Sequence, residues 1–348
     1  MTVWNPTLLR GWYPVAEAHR LRDRPMRVTV FGRAVVLARL PSGGLLALDD
    51  RCPHRHVPLS DGQRVGETLQ CRYHGWTFGA DGRCTSMPGL CPSAAVPAVP
   101  AVQVNAWHVF EHDGLVWLSA RPPGEAGPGA LPTFLNRLPH GSRRFLWSTL
   151  WQARPADALE NFLDPLHTHL VHPGLVRSHG ARQPMTVTVT QSTEGLQVDY
   201  TGQAQQSGLL YRLFESPRTM ERAHFGVAAP ATAQLEYRYA NGSALYFTLH
   251  FTPEDDMRTR LFATLHVENR WAPAWAVRWF VWPFLYRVAE QDRRVVEAQA
   301  ANSTRFGRQD GISTELDLVR PMLDAVWMPN AKLGKPMEAD ARVMQMWV

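Results

Sequence analysis

Four side chains in the first quarter of the chain are of types that bind metals. Cys52 and His54 stand two apart in "CPHRH", Cys71 and His74 three apart in "CRYHGW", and sixteen residues, Arg55 to Gln70, separate the pairs. Each loop offers one thiolate and one imidazole. Zinc fingers pair cysteine with cysteine and histidine with histidine along the chain. A mixed loop used twice instead suits a two-iron cluster, one iron taking both thiolates and the other both imidazoles. A zinc-stapled module stays open as the alternative. Cys84 and Cys91 fall outside the pattern and read as buried or half-buried thiols.

A second group sits in "ENFLDPLHTHLVH", which holds Asn161, Asp164, His167 and His172. Around them Leu159, Phe162, Leu163, Leu166 and Leu170 recur at helical spacing. On an unbroken helix His167 and His172 would point about 140° apart, since each residue turns about 100°. They can share a metal only where the helix is interrupted. Pro165, with no N–H for the carbonyl of Asn161, supplies that interruption. The alternative is an amphipathic helix whose histidines face solvent. His169 is out of this register. Two imidazoles leave a metal short of ligands, and "AEQDRRVVEAQ" offers Glu290, Asp292 and Glu297 far along the chain.

These side chains need elements to hold them. Before residue 120 the chain reads as short strands: "RVTVFGRAVVLARL" alternates, turns at "PSGG" and resumes in "LLALDD", and "LVWLSA" comes later. "RPPGEAGPGALP" has the composition of a linker. Beyond it, "TVTVTQ", "LQVDYT", "QLEYRYA", "ALYFTLHFT" and "TRLFATLHVE" predict an antiparallel sheet with one face buried, and a long helix is predicted over Trp275–Thr304. The expected organisation is α+β, with an all-β domain at 1–120, a linker at 121–140 and a second domain at 141–348.

A chain of 348 residues exceeds one comfortable core. Hydrophobic residues at 45% and charged residues at 19% are globular composition and exclude a disordered chain. The net charge of +5 is spread without a basic block, which argues against a nucleic-acid partner. The N-terminus has no charged region followed by an apolar one, so no secretory signal is read and a cytoplasmic protein is expected. In "WAPAWAVRWFVWPFLYRV" tryptophans recur near helical spacing, interrupted by Arg278, Arg287, Pro273 and Pro283. This stripe is read as a buried or pocket-lining helix rather than as the alternative, a membrane-contacting one, and no membrane partner is expected.

"CPHRH" and "CRYHGWTF" resemble the Rieske domain of the Rieske non-haem iron oxygenases, the oxygenase component in particular. Pro53, Arg55 and Gly75–Trp76 also fit the family motif. His56 departs from it, because the family most often carries glycine there, and its side chain is expected to change the loop backbone slightly. The resemblance implies a [2Fe–2S] cluster on Cys52, His54, Cys71 and His74. Asp164, His167 and His172 match the family pattern Asp-x-x-His-x-x-x-x-His, with Asn161 at the preceding acid-or-amide position. Asp292, followed by Glu297 and Gln299, resembles the region of the third iron ligand, with Gln291 in place of a neighbouring acid.

By that resemblance a mononuclear Fe(II) is held by His167, His172 and Asp292, and Asn161 lies near it. Asp164 bridges His167 to a cluster histidine of the next subunit in a homotrimer. Glu297 pairs with Arg293 or Arg294. The implied catalytic fold is helix-grip, START-like, around an apolar cavity. Electrons from a separate reductase, directly or through a ferredoxin, enter at the cluster, and O2 serves to hydroxylate or demethylate a small apolar or aromatic substrate. Chain length, "LRGWYPVAEAHRL" and "GLCPSAAVP" resemble the monooxygenase and demethylase branch. A cis-dihydroxylating dioxygenase and an electron carrier without oxygenase activity stay open. Phe225, Tyr237, Phe247, His250, Trp279 and Phe284 are expected in the substrate pocket.

Overall fold

The computed structural model describes residues 4–89, 101–120, 130–139, 142–176, 182–202, 216–268, 273–307, 311–327 and 341–348. The chain divides into two compact units, one of Leu9–Gly129 and one of Ala130–Val348 with the first eight residues. Half of the expected linker (121–129 and 140) and Cys91 lie outside the described residues.

The N-terminal unit is built from ten short strands. These are β1 (Tyr13–Glu17), β2 (Met26–Val30), β3 (Arg33–Arg39), β4 (Leu45–Asp49), β5 (Gln63–Val65), β6 (Thr68–Gln70), β7 (Thr77–Phe78), β8 (Cys84–Ser86), β9 (His108–His112) and β10 (Leu115–Ser119). They form three antiparallel sheets, ordered β1-β10-β9, β2-β3-β4 and β5-β6-β7-β8. Local chemistry sets the register: Asp113–Gly114, both at positive φ, make the two-residue turn that pairs His112 with Leu115. Val36, Leu46, Leu48, Leu59, Leu69 and Phe78 form a core that also contains Cys52 and Cys71. The loops carrying those cysteines therefore leave a packed interior, which fixes their roots.

The C-terminal unit centres on one eight-stranded antiparallel sheet. Its strands are β11 (Arg143–Trp151), β12 (Pro184–Ser192), β13 (Gly195–Thr201), β14 (Arg218–Gly226), β15 (Ala229–Tyr239), β16 (Ala244–Pro253), β17 (Thr259–Glu268) and β18 (Ala341–Trp347). The spatial order is β11-β17-β16-β15-β14-β13-β12-β18. Alternation decides which side chains face the helices. Leu235, Phe247 and Leu265 align across β15, β16 and β17 on one face, and Gln234, Thr248 and Thr264 align on the other.

The helices of the unit that bear on the site are α1 (Pro155–Leu163), α2 (Thr168–Val171), α3 (Trp282–Arg305) and α4 (Arg320–Trp327). Pro155 presets the first turn of α1, Asp157 favours its N-terminus, and Ala158, Leu159 and Leu163 are buried. Arg320 of α4 donates to Glu160 Oε2 at 2.7 Å and Asp157 Oδ1 at 3.3 Å, which ties α4 to α1. α3 continues without a break from Ala274–Ala276 through a π turn over Val277–Val281. Pro283, whose ring nitrogen cannot bond the carbonyl one turn back, accounts for the wider turn.

That π turn corrects the reading of the tryptophan stripe. Its extra residue rotates the segment before it relative to α3. Trp282 turns inward, 4.6 Å edge-to-face from Trp147, while Trp275 and Trp279 are 60% and 70% exposed.

Candidate metal centres

The two cysteine–histidine loops have the same backbone. Val57 O accepts from Cys52 N and Cys52 O from His56 N at 2.9 and 2.8 Å; in the second loop Trp76 O accepts from Cys71 N and Cys71 O from Gly75 N at 2.8 and 3.1 Å. The fifth residue of each is left-handed, with φ of 61° at His56 and 73° at Gly75. The expectation that His56 changes the first loop is thus corrected: His56 adopts the conformation glycine would, with its side chain in solvent. At Gly75 a side chain has no room, since a Cβ would stand 2.9 Å from Pro88 Cγ.

The loops bring the four candidate ligands together as two pairs, thiol with thiol and ring with ring. The thiols of Cys52 and Cys71 interact in the core, where burial first and then the neighbouring thiol push Cys52 up to about 11. The His54 and His74 rings lie 4.4 Å apart, and Trp76 stacks on His54 at 4.6 Å. Partial desolvation, then His74 and Arg55, hold His54 below its usual value, so the neutral ligand form is favoured. His54 Nδ1 is buried without a hydrogen-bond partner. A pair of thiols and a pair of imidazoles, each pair side by side, fit a two-iron cluster with the sulfurs on one iron and the rings on the other. Asp50, not singled out from the sequence, accepts from the backbone N–H and hydroxyl of Ser60 at 2.7 Å each, pinning the exit of the first loop. Cys84 lies apart on β8, half-buried, its thiol donating to Ser86 O.

The second group assembles in the C-terminal unit. α1 stops at Leu163 because Asp164 precedes a proline and is extended, at φ −89° and ψ 121°. The chain restarts as α2, and the break turns His167 and His172 toward one point, their rings 5.3 Å apart. From α3 comes Asp292: Oδ1 lies 3.3 Å from His167 Nε2 and 2.9 Å from His172 Nε2. Ligand atoms of these three residues all lie within 4.8 Å of one another. His169 is outside the group, and Glu297 is engaged by Arg293 Nη1 at 2.9 Å and the backbone N–H of Gln152.

The hydrogen bonds around this triad fit a metal. Gln291 Oε1 can only accept, so at 2.9 Å it takes a hydrogen bond from His172 Nδ1, which leaves Nε2 facing Asp292 Oδ1. That carboxylate oxygen is buried and has no hydrogen-bond partner. A buried carboxylate oxygen set between two imidazole nitrogens is a place for a cation. Burial would push His167 down, but Asp164 and Asp292 outweigh it and lift it to about 9. Asp292 stays below its usual value, because the two imidazoles outweigh its own burial. Asp164 Oδ2 stands 3.7 Å from His167 Nδ1, beyond hydrogen-bond length, and Oδ1 accepts from Leu166 N at 2.9 Å. The role of Gln291 was missed from sequence, where it registered merely as a substituted acid.

The triad opens onto an apolar cavity of about 170 Å³. Asn161, Tyr237, Phe247 and Phe284 line it as expected, with Phe162 and Phe251. Three expected pocket residues do not. His250 is on the opposite face of β16, bonded to Thr232 at 2.9 Å, because alternation sends Leu249 and Phe251 inward instead. Phe225 is buried elsewhere, and Trp279 faces outward.

Comparison with known proteins agrees with this geometry. Residues 11–103 match the model of the Rieske [2Fe-2S] domain, and residues 151–324 match the vanillate O-demethylase oxygenase C-terminal domain. The chain is 35% identical over 162 residues to the oxygenase component of dicamba O-demethylase from Stenotrophomonas maltophilia, 47% of each protein. It is 28% identical over 300 residues to the chloroplastic protein TIC 55 of Arabidopsis thaliana, 83% of this chain and 52% of that one. It thus spans about half the length of these curated relatives. Among solved structures, Pseudomonas putida CBB5 NdmA with caffeine superposes with a TM-score of 0.76 at 23% identity, over 91% of this chain and 89% of that one. Dicamba monooxygenase bound to 3,6-dichlorosalicylic acid gives 0.75 at 22%, over 91% and 95%. The thiol–imidazole loop pair lies within the first matched region and the two-histidine carboxylate triad within the second, and the chain belongs to the Rieske non-haem iron oxygenases, in the branch with the vanillate O-demethylase C-terminal domain.

Proposed function

We propose that this protein is the oxygenase component of a multi-component monooxygenase that hydroxylates, and so demethylates, a small neutral aromatic substrate. The observation that carries the reading is the convergence of His167, His172 and Asp292 on the wall of an apolar cavity. When bound, the cluster on Cys52, His54, Cys71 and His74 supplies single electrons and the mononuclear iron on the triad supplies O2 activation. The chain's own groups do the rest. Phe162, Phe247, Phe251 and Phe284 exclude water and hold an aromatic ring beside the triad. Gln291 keeps Nε2 of His172 aimed at the metal position. Asp164 stands where it can take a proton from His167 Nδ1. It also lines a second, polar cavity of about 230 Å³, which leaves the carboxylate approachable from another side, as a bridge to the next subunit's cluster in a homotrimer requires.

Substrate charge is set by Arg218. Apart from histidine, it is the cationic side chain among the described lining residues, and it is engaged by Glu221 Oε2 at 2.6 Å over the ring of Tyr237. A carboxylated substrate would have to displace Glu221, so a neutral methoxylated or N-methylated ring fits better. The O-demethylase relative supports demethylation. Cytoplasmic placement, with electrons from a separate reductase, completes the reading.

The test reconstitutes the protein with iron and sulfide, adds a generic NADH-dependent reductase and assays formaldehyde from methoxylated and N-methylated aromatics. His167→Ala should abolish turnover and leave the cluster's visible and EPR spectra intact. Loss of those spectra would undo the assignment of two separate sites, and a colourless zinc protein without acid-labile sulfide would refute the reading altogether.

A further inference from the structure

The helix that delivers Asp292 has a second face that catalysis does not use. Val281, Leu285 and Val288 turn inward to wall the cavity, with Val277 buried beneath them against Leu265 and Val267. The opposite side presents Trp275, Trp279, Phe280 and Tyr286, exposed by 60, 70, 57 and 50%. Trp275 and Phe280 lie 6.4 Å apart and form one patch. A soluble surface rarely shows so many large aromatics together, and such a patch marks a site of interaction.

Charge identifies what it meets. Between Pro273 and Ala289 the sequence has no aspartate or glutamate, and its two charged residues are Arg278 and Arg287. Both are exposed, and neither has an ion-pair partner among the described residues. Buried in an apolar protein contact, these guanidinium groups would be uncompensated charges. At the surface of an anionic lipid leaflet their stems lie along the apolar boundary while the heads meet phosphate. Tryptophan, tyrosine and arginine on one helix face are the residues that settle at headgroup depth. No helix among the described residues is long and apolar enough to cross a membrane, so this element would lie on the surface.

We propose that the N-terminal part of this helix docks on anionic phospholipid bilayers, with Trp275, Trp279 and Phe280 seated among the headgroups. This proposal departs from the expectation of no membrane contact. The same helix separates the bilayer from the iron cavity, so an apolar substrate dissolved in lipid would have a short route in.

The test is co-sedimentation of the full-length holoprotein with phosphatidylcholine vesicles, with and without phosphatidylglycerol. Binding to phosphatidylglycerol vesicles is expected, with release near 1 M salt, where screening acts within about 3 Å. Trp275→Ala/Trp279→Ala and, separately, Arg278→Glu/Arg287→Glu should each lower the partition coefficient about tenfold or more, with melting temperature and oligomeric mass unchanged. No binding by the parent protein would overturn the proposal, as would binding that survives both double variants. A changed oligomeric mass in the tryptophan variant would overturn it too, assigning the face to a second copy. None of these readouts depends on turnover, so their failure is distinct from failure of the oxygenase reading.

Discussion

At His56 the backbone sits at φ +61°, a region that costs a non-glycine residue about 1–2 kcal/mol, somewhat less for histidine. The loop tolerates it because the hydrogen bonds to Cys52 and the buried root of the loop leave no other path. His56→Gly should therefore stabilise the N-terminal unit by about 1 kcal/mol, raising by a few degrees the temperature at which cluster absorbance is lost. His56→Val should do the reverse. Gln291 is a second residue whose effect is indirect. Gln291→Leu leaves His172 Nδ1 without its acceptor in a buried site, and metal affinity should fall about 10–100-fold. Titration of the metal-free variant with Co(II) measures this directly. Gln291→Glu, a stronger acceptor, should tighten binding. Neither role was visible in one dimension: His56 registered as an oddity of composition and Gln291 as a missing acid, because φ angles and bonds across 119 residues are not properties of residue type.

Among the elements, the break between α1 and α2 decides whether the triad exists. Pro165 both ends α1 and holds Asp164 extended. In Pro165→Ala the helix is free to run on, swinging His167 away from His172 by the angle an intact helix imposes. Helical circular dichroism should rise slightly and iron at the mononuclear site should be lost, while the melting temperature changes little. That interruption was legible from the sequence, since proline acts locally. The π turn ahead of α3 was not, although Pro283 was in plain view: a proline near a helix start is also compatible with an ordinary first turn.

The sheet carries a pH dependence. Burial pushes Glu236 up, but His224 at 3.2 Å and Arg238 at 2.9 Å outweigh it and hold the carboxyl below its usual value. A depressed carboxyl contributes stability that is complete above its unfolded value near 4.5 and is lost as pH falls through the folded value. The melting temperature should drop below about pH 4.5, and Glu236→Gln should flatten that acid limb.

For the whole molecule, the two candidate centres belong to different compact units, each with its own core. Damage to one should spare the other. Cys71→Ser should remove the cluster's visible absorption, while Co(II) still binds once per chain at the triad. Loss of both metals together would mean that the units fold as one. The candidate ligands of the N-terminal unit could be singled out because both pairs are local: two tight turns, each closed by its own cysteine. The strands β12, β13, β15, β16 and β17 were readable for the same reason, since alternation is a pattern of neighbours. The strands β14 and β18 gave weaker alternation and emerged only through pairing with β13 and β12.

Residue order alone decided the features that local chemistry sets: the thiol–imidazole turns, the proline break, the alternating strands and the long helix. Features that depend on phase and on distant partners were settled only by packing. It brought Asp292 across from α3 to His167 and His172, chose Phe247 over His250 for the cavity, and turned Trp282 in but Trp275 and Trp279 out. Each of those outcomes rests on which face an element turns to its neighbours. A single chain pattern leaves that choice open until the neighbours are in place.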